Sequence, residues 1–352
     1  MLESVSDYAA FFRCSGEYDR KPVRIVVLAQ KVSPTRDLYL RRRLAMARLP
    51  VHYWTLGENC PVSLNDAFVI VVRYVDRTSL AQIEEARRNL SGLAWLLDDD
   101  VAAALGDSDL PLHYRAFMAH FWLRFARRLA GVTSEIWAAS DVLADRLAQS
   151  GLVSRIDPLP EAFALPAERD EPDLGQPLRV FYHGQKTHRP EREWLHPVVK
   201  TIHDRYPSVH FEMIGDAAVK AKYRELDRVL VTPAFTWPDY LARSRATRFD
   251  IGLAPLLSTP FNRARSWGKY LDIARFGAVG IYAEGQPYDR VVRDGENGLL
   301  RSAQDPDAWI DALALLIEDH AFRKRLTAGV NWPAEIALPD TLGDLLREDS
   351  RG

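Results

Sequence analysis

The run FDIGLAPLLSTPFNRARSWGKYLDIARFGAVGIYAEGQPYDRVVRDGENGLL, Phe249 to Leu300, joins a short apolar strand, a helix and a second apolar strand. IGLAPL (251–256) is continuously apolar and reads as a parallel strand buried on both faces. A helix is expected from Arg265 to Phe276, because Trp267, Tyr270, Leu271 and Ala274 recur at helical spacing and Gly277 supplies a stop. On its other side Ser266, Lys269 and Asp272 recur every third residue, a drifting polar stripe that starts at the helix N-terminus. Unpaired amides and the positive end of the dipole at such a terminus favour a phosphate. The stretch therefore defines a parallel α/β unit with a place for a phosphorylated ligand.

Outward from this unit the same alternation continues in both directions. VRIVVLA (23–29), VHYWTL (51–56), AFVIVVR (67–73), LAWLLDD (93–99) and EIWAAS (135–140) read as strands, with helical stretches near 36–48, 79–90, 112–130 and 140–150. A second series follows: LRVFYHG (178–184), VHFEMIG (209–215), RVLVTPAF (228–235), FDIGLAPL (249–256) and AVGIYAE (278–284), with helices near 190–205, 217–226, 237–244, 265–276 and 305–327. Two such series predict two doubly wound parallel sheets with a ligand crevice between their carboxyl ends. The aperiodic, Pro- and acid-rich segment 158–177 reads as the linker between them.

The 352 residues are long for one core and suit two domains of about 150 to 180 residues. A 47% apolar and 27% charged composition is that of an ordinary globular chain, which excludes disordered and fibrous classes. The formal net charge of -2 gives no global attraction to nucleic acid, so no nucleic-acid partner is expected. Cys14 and Cys60 lack metal-ligand or redox spacing, which argues for a reducing compartment, and no metal site is expected. The first twenty residues carry early acids and no apolar core, and no run reaches the length of a membrane span. A cytoplasmic location is expected, with any membrane contact peripheral. No Walker lysine loop, Gly-x-Gly-x-x-Gly after the first strand, His-Glu-x-x-His or Gly-x-Ser-x-Gly occurs, which removes the simplest ATPase, dinucleotide oxidoreductase, protease and esterase readings.

Five further features carry chemistry, each beside a plainer alternative. HGQKTHR (183–189) follows the first strand of the second series: Gly184 permits close backbone approach, while Lys186, His188 and Arg189 supply charge for a diphosphate or make an ordinary solvated loop. Asp98, Asp99 and Asp100 follow LAWLL at a strand's carboxyl end, where adjacent carboxylates repel. They read as a base for an acceptor hydroxyl, an acceptor anchor or a metal clamp, or else as the acidic start of a helix at VAAAL (101–105). Phe235 suits a base-stacking or a core position, and Arg73 can reach the crevice or pair with Asp76 or the Asp98 tract. The stretch HYRAFMAHFWLRFARR (113–128) aligns Phe117, Phe121 and Phe125, with Arg124, Arg127 and Arg128 beside them. It suits either packing on the first sheet or an anionic membrane surface near a lipid-linked acceptor.

Asn262, Arg265, Ser266, Lys269, Leu271, Asp272, Ala274 and Gly277, followed by Pro287, Tyr288 and DGENGLL (294–300), resemble the donor-binding region of GT-B glycosyltransferases of family 4 type (glycosyl transferases group 1). The pattern is most similar to a bacterial surface-polysaccharide branch with Ser-x-x-Lys-x-x-Glu in place of Glu-x7-Glu. In the same branch a Gly-x-x-x-His loop resembling 183–189 lies near the nucleotide, and an Asp-Asp tract resembles 98–100. The resemblance implies two Rossmann-like domains, 1–165 on the acceptor side and 178–334 for the donor, with the tail 335–352 returning to the first. It implies a nucleotide-diphosphate sugar as donor, no cofactor or metal, and retaining transfer to a hydroxyl of a surface glycan or a lipid-linked acceptor. Lys186, Arg189, Ser266 and Lys269 would hold the diphosphate, with Gly184, His188, Phe235 and Arg265 beside the donor. Asp272 would meet the ribose, although the branch has Glu there, and Ala264 stands where the commoner motif has its sugar-contacting Glu. A nucleotide-sugar epimerase and a non-catalytic GT-B binding module remain the alternatives.

Overall fold

The computed structural model describes residues 13–159, 176–184, 186–333 and 335–346. The first sheet consists of β1 (Arg24–Ala29), β2 (Val51–Thr55), β3 (Ala67–Val72), β4 (Gly92–Leu97), β5 (Glu135–Ala138) and β6 (Leu152–Arg155) in the order β2-β1-β3-β4-β5-β6. The second consists of β7 (Leu178–Tyr182), β8 (Val209–Ile214), β9 (Val229–Thr232), β10 (Ile251–Ala254), β11 (Val279–Ala283) and β12 (Leu299–Arg301) in the order β12-β11-β10-β7-β8-β9. Every pairing is parallel.

Helices cover both faces of each sheet, so the central strands are apolar throughout. β3, β4, β10 and β11 are buried at every position. One face of the first sheet packs Val26, Leu28, Trp95 and Ile136 against Met118 and Phe121. The other packs Ile25, Val27, Leu96 and Trp137, and there Leu342 and Leu345 of the Asp340–Leu346 helix join the core.

Sheet order fixes where a ligand can sit. In the first sheet the winding reverses between β1 and β3, and in the second between β7 and β10. Loops leaving the carboxyl ends of strands at such a reversal diverge and open a crevice.

Three local expectations give way. β6 (LVSR) and β12 (LLR) are short, largely unburied edge strands without a continuous apolar run, so the sequence yields only five strands in each series. The helix expected over 305–327 is two, Pro306–Glu318 and His320–Gly329, because Asp319 caps the second through Phe322 N at 2.8 Å. The expected linker falls mainly on 160–175, outside the described residues.

The halves interlock. A short helix, Pro260–Arg263, projects from the second sheet, and its Phe261 together with Ala264 is fully buried in the core of the first. Ser140 Oγ donates to the Ala264 carbonyl at 2.6 Å. Arg290 reaches Asp141 and Asp157, each at 3.2 Å, and Trp237 Nε1 donates to Asp37 Oδ2 at 2.9 Å.

Candidate active site in the interdomain cleft

The two reversal points face one cavity of about 700 Å³. Its walls differ in chemistry.

The wall from the second sheet is basic. Its helix starts at Gly268 rather than Arg265 and runs to Arg275. Phe261 and Ala264 are anchored in the other half, and Trp267 is fully buried with its Nε1 donating to Asp157 Oδ1 at 3.3 Å, so the chain turns before the helix begins. Ser266 therefore precedes the helix instead of heading its stripe, although it still lines the cavity. Gly277 ends the element in the left-handed region, φ 72°.

Lys269, in the first turn, donates to the His183 carbonyl and lies 3.7 Å from Asp272 Oδ2. Burial draws the ammonium below the usual lysine range; Asp272 opposes the shift and Arg265 adds to it. Asp272 lines the cavity; its Oδ1, 3.5 Å from Arg275 Nε, is buried with no hydrogen-bond partner among the described residues.

Arg265 lies with its guanidinium carbon 4.8 Å from the Phe261 ring centroid, and its Nη1 donates to His188 Nε2 at 2.8 Å. That geometry needs a neutral imidazole. Burial, joined by Arg265 and Lys269, holds His188 well below the ordinary histidine value. Gly184 is required beneath it, since a Cβ there would stand 2.8 Å from the Tyr182 hydroxyl and 2.9 Å from His188 Cβ. Phe235 lines the cavity half-buried, with Arg243 over its ring at 5.2 Å.

Two basic residues named from the sequence are not brought to this wall. Arg189 is exposed and pairs with Glu193 one helical turn on, at 2.7 Å, because it opens the Arg189–Arg205 helix on its solvent side. The Lys186 side chain lies outside the described residues. The DGENG turn serves packing: Asn297 Nδ2 donates to Val291 O at 2.9 Å and to Tyr270 Oη at 3.3 Å.

The wall from the first sheet is acidic and aromatic. Asp98 and Asp99 line the cavity and share Arg73, whose Nε lies 2.9 Å from Asp98 Oδ1 while Nη2 donates to Asp99. Thr35 donates to Asp98 at 2.6 Å, and Tyr114 donates to Asp99 at 3.3 Å. Burial raises both carboxyls. For Asp99 the cations Arg73 and Arg265 overcome it and the group is held below its usual value; for Asp98 burial prevails, with Asp99 adding to the rise. One member thus stays ionised while its neighbour takes a proton more readily.

Asp100 does not belong with them. It is buried, caps the Val101–Gly106 helix through Ala103 N at 2.9 Å, and pairs with Arg146. The tract lies beyond the end of β4, and its third carboxylate is taken by the helix that follows. Asp76, the other proposed partner of Arg73, caps the Arg77–Ala86 helix instead. Thr35, Tyr114, Trp237 and Tyr240 also line the cavity and carry no motif; only their places after strands in the two series could have marked them.

Two parallel six-stranded sheets, interlocked so that their reversal points face one cavity, constitute the GT-B fold. No family model matches the chain. Among solved structures it is similar to a sucrose-phosphate synthase from Thermosynechococcus elongatus, with TM-score 0.57 and 14% identity over 88% of this chain and 93% of that one. It is similar to Anabaena HepE in complex with UDP-glucose, with TM-score 0.57 and 14% identity over 87% and 93%. TarM gives TM-score 0.52 and 11% identity over 76% of this chain and 51% of TarM. At such identities the likeness is one of fold. A curated D-inositol 3-phosphate glycosyltransferase of Nocardioides sp. is 56% identical over 39 residues, a match that spans 11% of this chain and only 8% of that protein.

Proposed function

We propose that the protein is a glycosyltransferase that moves a sugar from a nucleoside-diphosphate donor to a hydroxyl of a glycan or lipid-linked acceptor. The observation that carries this reading is the polarity of the cleft. Arg265, Lys269 and a helix N-terminus stand on one side of the cavity, and the Asp98–Asp99 pair stands across it. The UDP-glucose of HepE makes uridine nucleotide sugars the first donors to test.

In this reading the departing diphosphate is stabilised by Arg265, Lys269 and the amides at Gly268, a preorganised set that supplies the largest catalytic contribution without a metal. The Asp272 carboxylate accepts from the ribose, and Phe235 lies beside the base. Ionised Asp99 accepts a hydrogen bond from the acceptor hydroxyl. Retention of configuration is proposed on the resemblance of the donor segment.

The acceptor side opens beside the Leu112–Phe121 helix and its continuation to Ala130. Leu112, Phe117 and Leu123 are exposed there, Phe117 at the cavity itself, and Arg124 and Arg127 are exposed next to them. No acidic residue occurs between Leu110 and Ser134. This face suits an anionic lipid surface that presents the acceptor. Among the described residues no helix is long and apolar enough to cross a membrane.

The test is a thermal-shift screen of nucleoside-diphosphate sugars, followed by product analysis with and without acceptor. Stabilisation by a nucleotide sugar and acceptor-dependent sugar transfer are expected. Conversion of the donor sugar to its epimer without acceptor would overturn the reading in favour of an epimerase, and binding without turnover would leave a non-catalytic module.

A further inference from the structure

We infer that Asp100 and Arg146 are positioning residues through which the first domain sets the diphosphate-binding arginine of the second; the inference rests on the function proposed above. Arg146, on the Asp141–Leu147 helix, donates through one Nη1 both to Asp100 Oδ2 and, at 2.9 Å, to the Pro260 carbonyl. Pro260 opens the short helix whose Phe261 and Ala264 are fully buried in the first domain's core. Arg265 follows directly, in contact with the Phe261 ring and with His188.

A charge-assisted bond to the start of this segment, and the 2.6 Å bond from Ser140 to Ala264 O at its end, fix both ends of a wedge that carries the guanidinium on its rim. The carboxylate matters because it is buried at 1% exposure and holds Arg146 in one rotamer aimed across the interface. Positioning of this kind acts through the 260–264 segment, and small displacements of a charged group weaken its contact strongly. Position 264 is thereby a docking contact: its side chain faces the first domain's core, not the cavity.

Two roles of Asp100 can be separated by substitution. Asp100→Ser keeps an oxygen to cap the Val101–Gly106 helix and removes the pair with Arg146. Arg146→Met removes the same link from the other end. Binding of UDP, GDP and ADP to wild type by calorimetry first establishes which nucleotide is held. For that nucleotide, both variants are expected to keep the wild-type melting temperature to within a few degrees while its dissociation constant rises about tenfold. The matching nucleoside, which lacks phosphate, should bind as before. The double variant should lose no more than either single one, since both break one chain of contacts. Wild-type nucleotide affinity in a stably folded Asp100→Ser protein would reduce Asp100 to a helix cap and overturn the inference while leaving the function proposed above intact. Failure of wild type to bind any of the three nucleotides would overturn both.

Discussion

The basic and acidic walls of the cleft are built in opposite ways. Lys269 and Asp272 share one helix, and Arg265 and Ser266 stand in the turn that leads into it, so eight consecutive residues carry most of the basic wall. The acidic wall is collected from the loops after β1, β3 and β4 and from a helix beyond: Thr35, Arg73, Asp98, Asp99 and Tyr114. A contiguous wall moves as one docked segment, whereas a collected wall depends on the whole sheet. In the function proposed above, the first wall binds the donor and the second meets the acceptor.

The largest effect expected from that division is at Asp99. Asp99→Asn should leave affinity for the nucleotide unchanged and lower the transfer rate about a hundredfold or more, the usual scale for a lost acid–base group. Asp98→Asn should retain more activity, since Asp98 is the partner that takes up a proton more readily. Steady-state kinetics with calorimetric donor binding separate the two quantities. Transfer at the wild-type rate in both variants would strip the acidic wall of its chemical role.

On the opposite wall, Lys269→Ala should weaken nucleoside-diphosphate binding about ten- to a hundredfold, as expected for a charge-assisted contact of roughly 1.5 to 3 kcal/mol. Nucleoside binding should change little. An equal loss for both ligands would place Lys269 on the base or in the scaffold.

The same contrast decides what the sequence could reveal. Periodicity alone buries Trp267, Tyr270, Leu271 and Ala274 and puts Lys269 and Asp272 on the other side, and the structure agrees at each. The other ten strands are equally legible, because apolar runs rich in β-branched and aromatic residues and bounded by polar turns have few other uses. What escapes is set by distant partners. The helix start at Gly268 depends on Phe261 entering another domain's core, and nothing local in STPFNRARS announces that contact. The three aspartates look equivalent in sequence, yet Arg73 and Arg146 sort them into a cleft pair and a buried cap. Arg189, by contrast, reads from composition as a diphosphate contact, and helix geometry carries it to solvent.

The exposed face beside the acidic wall sharpens the division further, since only the acceptor side should meet a membrane. Arg124→Gln and Arg127→Gln should each reduce partitioning onto vesicles containing phosphatidylserine by about 1 kcal/mol, roughly fivefold, with donor binding unaffected. Binding should fall with added salt. Wild-type protein that stays in solution with such vesicles at low salt would confine this face to protein packing.

The smallest effect concerns His188, the neutral acceptor beneath Arg265. Its folded pKa is depressed by burial and by two nearby cations, so the unfolded chain binds a proton that the native chain refuses as pH falls through the unfolded value near 6.5. Native stability from this group is therefore complete well above that value and declines below it. Between pH 8 and pH 6 the loss amounts to about 0.8 kcal/mol, from an unfolded histidine near 6.5 and a folded one far lower. Raised carboxyls such as Asp98 and Glu191 act in the opposite sense over acid pH, so the total curve does not isolate the histidine. The difference between wild type and His188→Gln does, because every other group is shared. Urea denaturation at both pH values should show the wild type losing that increment relative to the variant. A pH-independent difference would mean that His188 takes up a proton in the native protein as readily as in the unfolded chain; it could then not remain a neutral acceptor for Arg265 as pH falls, and the basic wall would need another account of how that arginine is held.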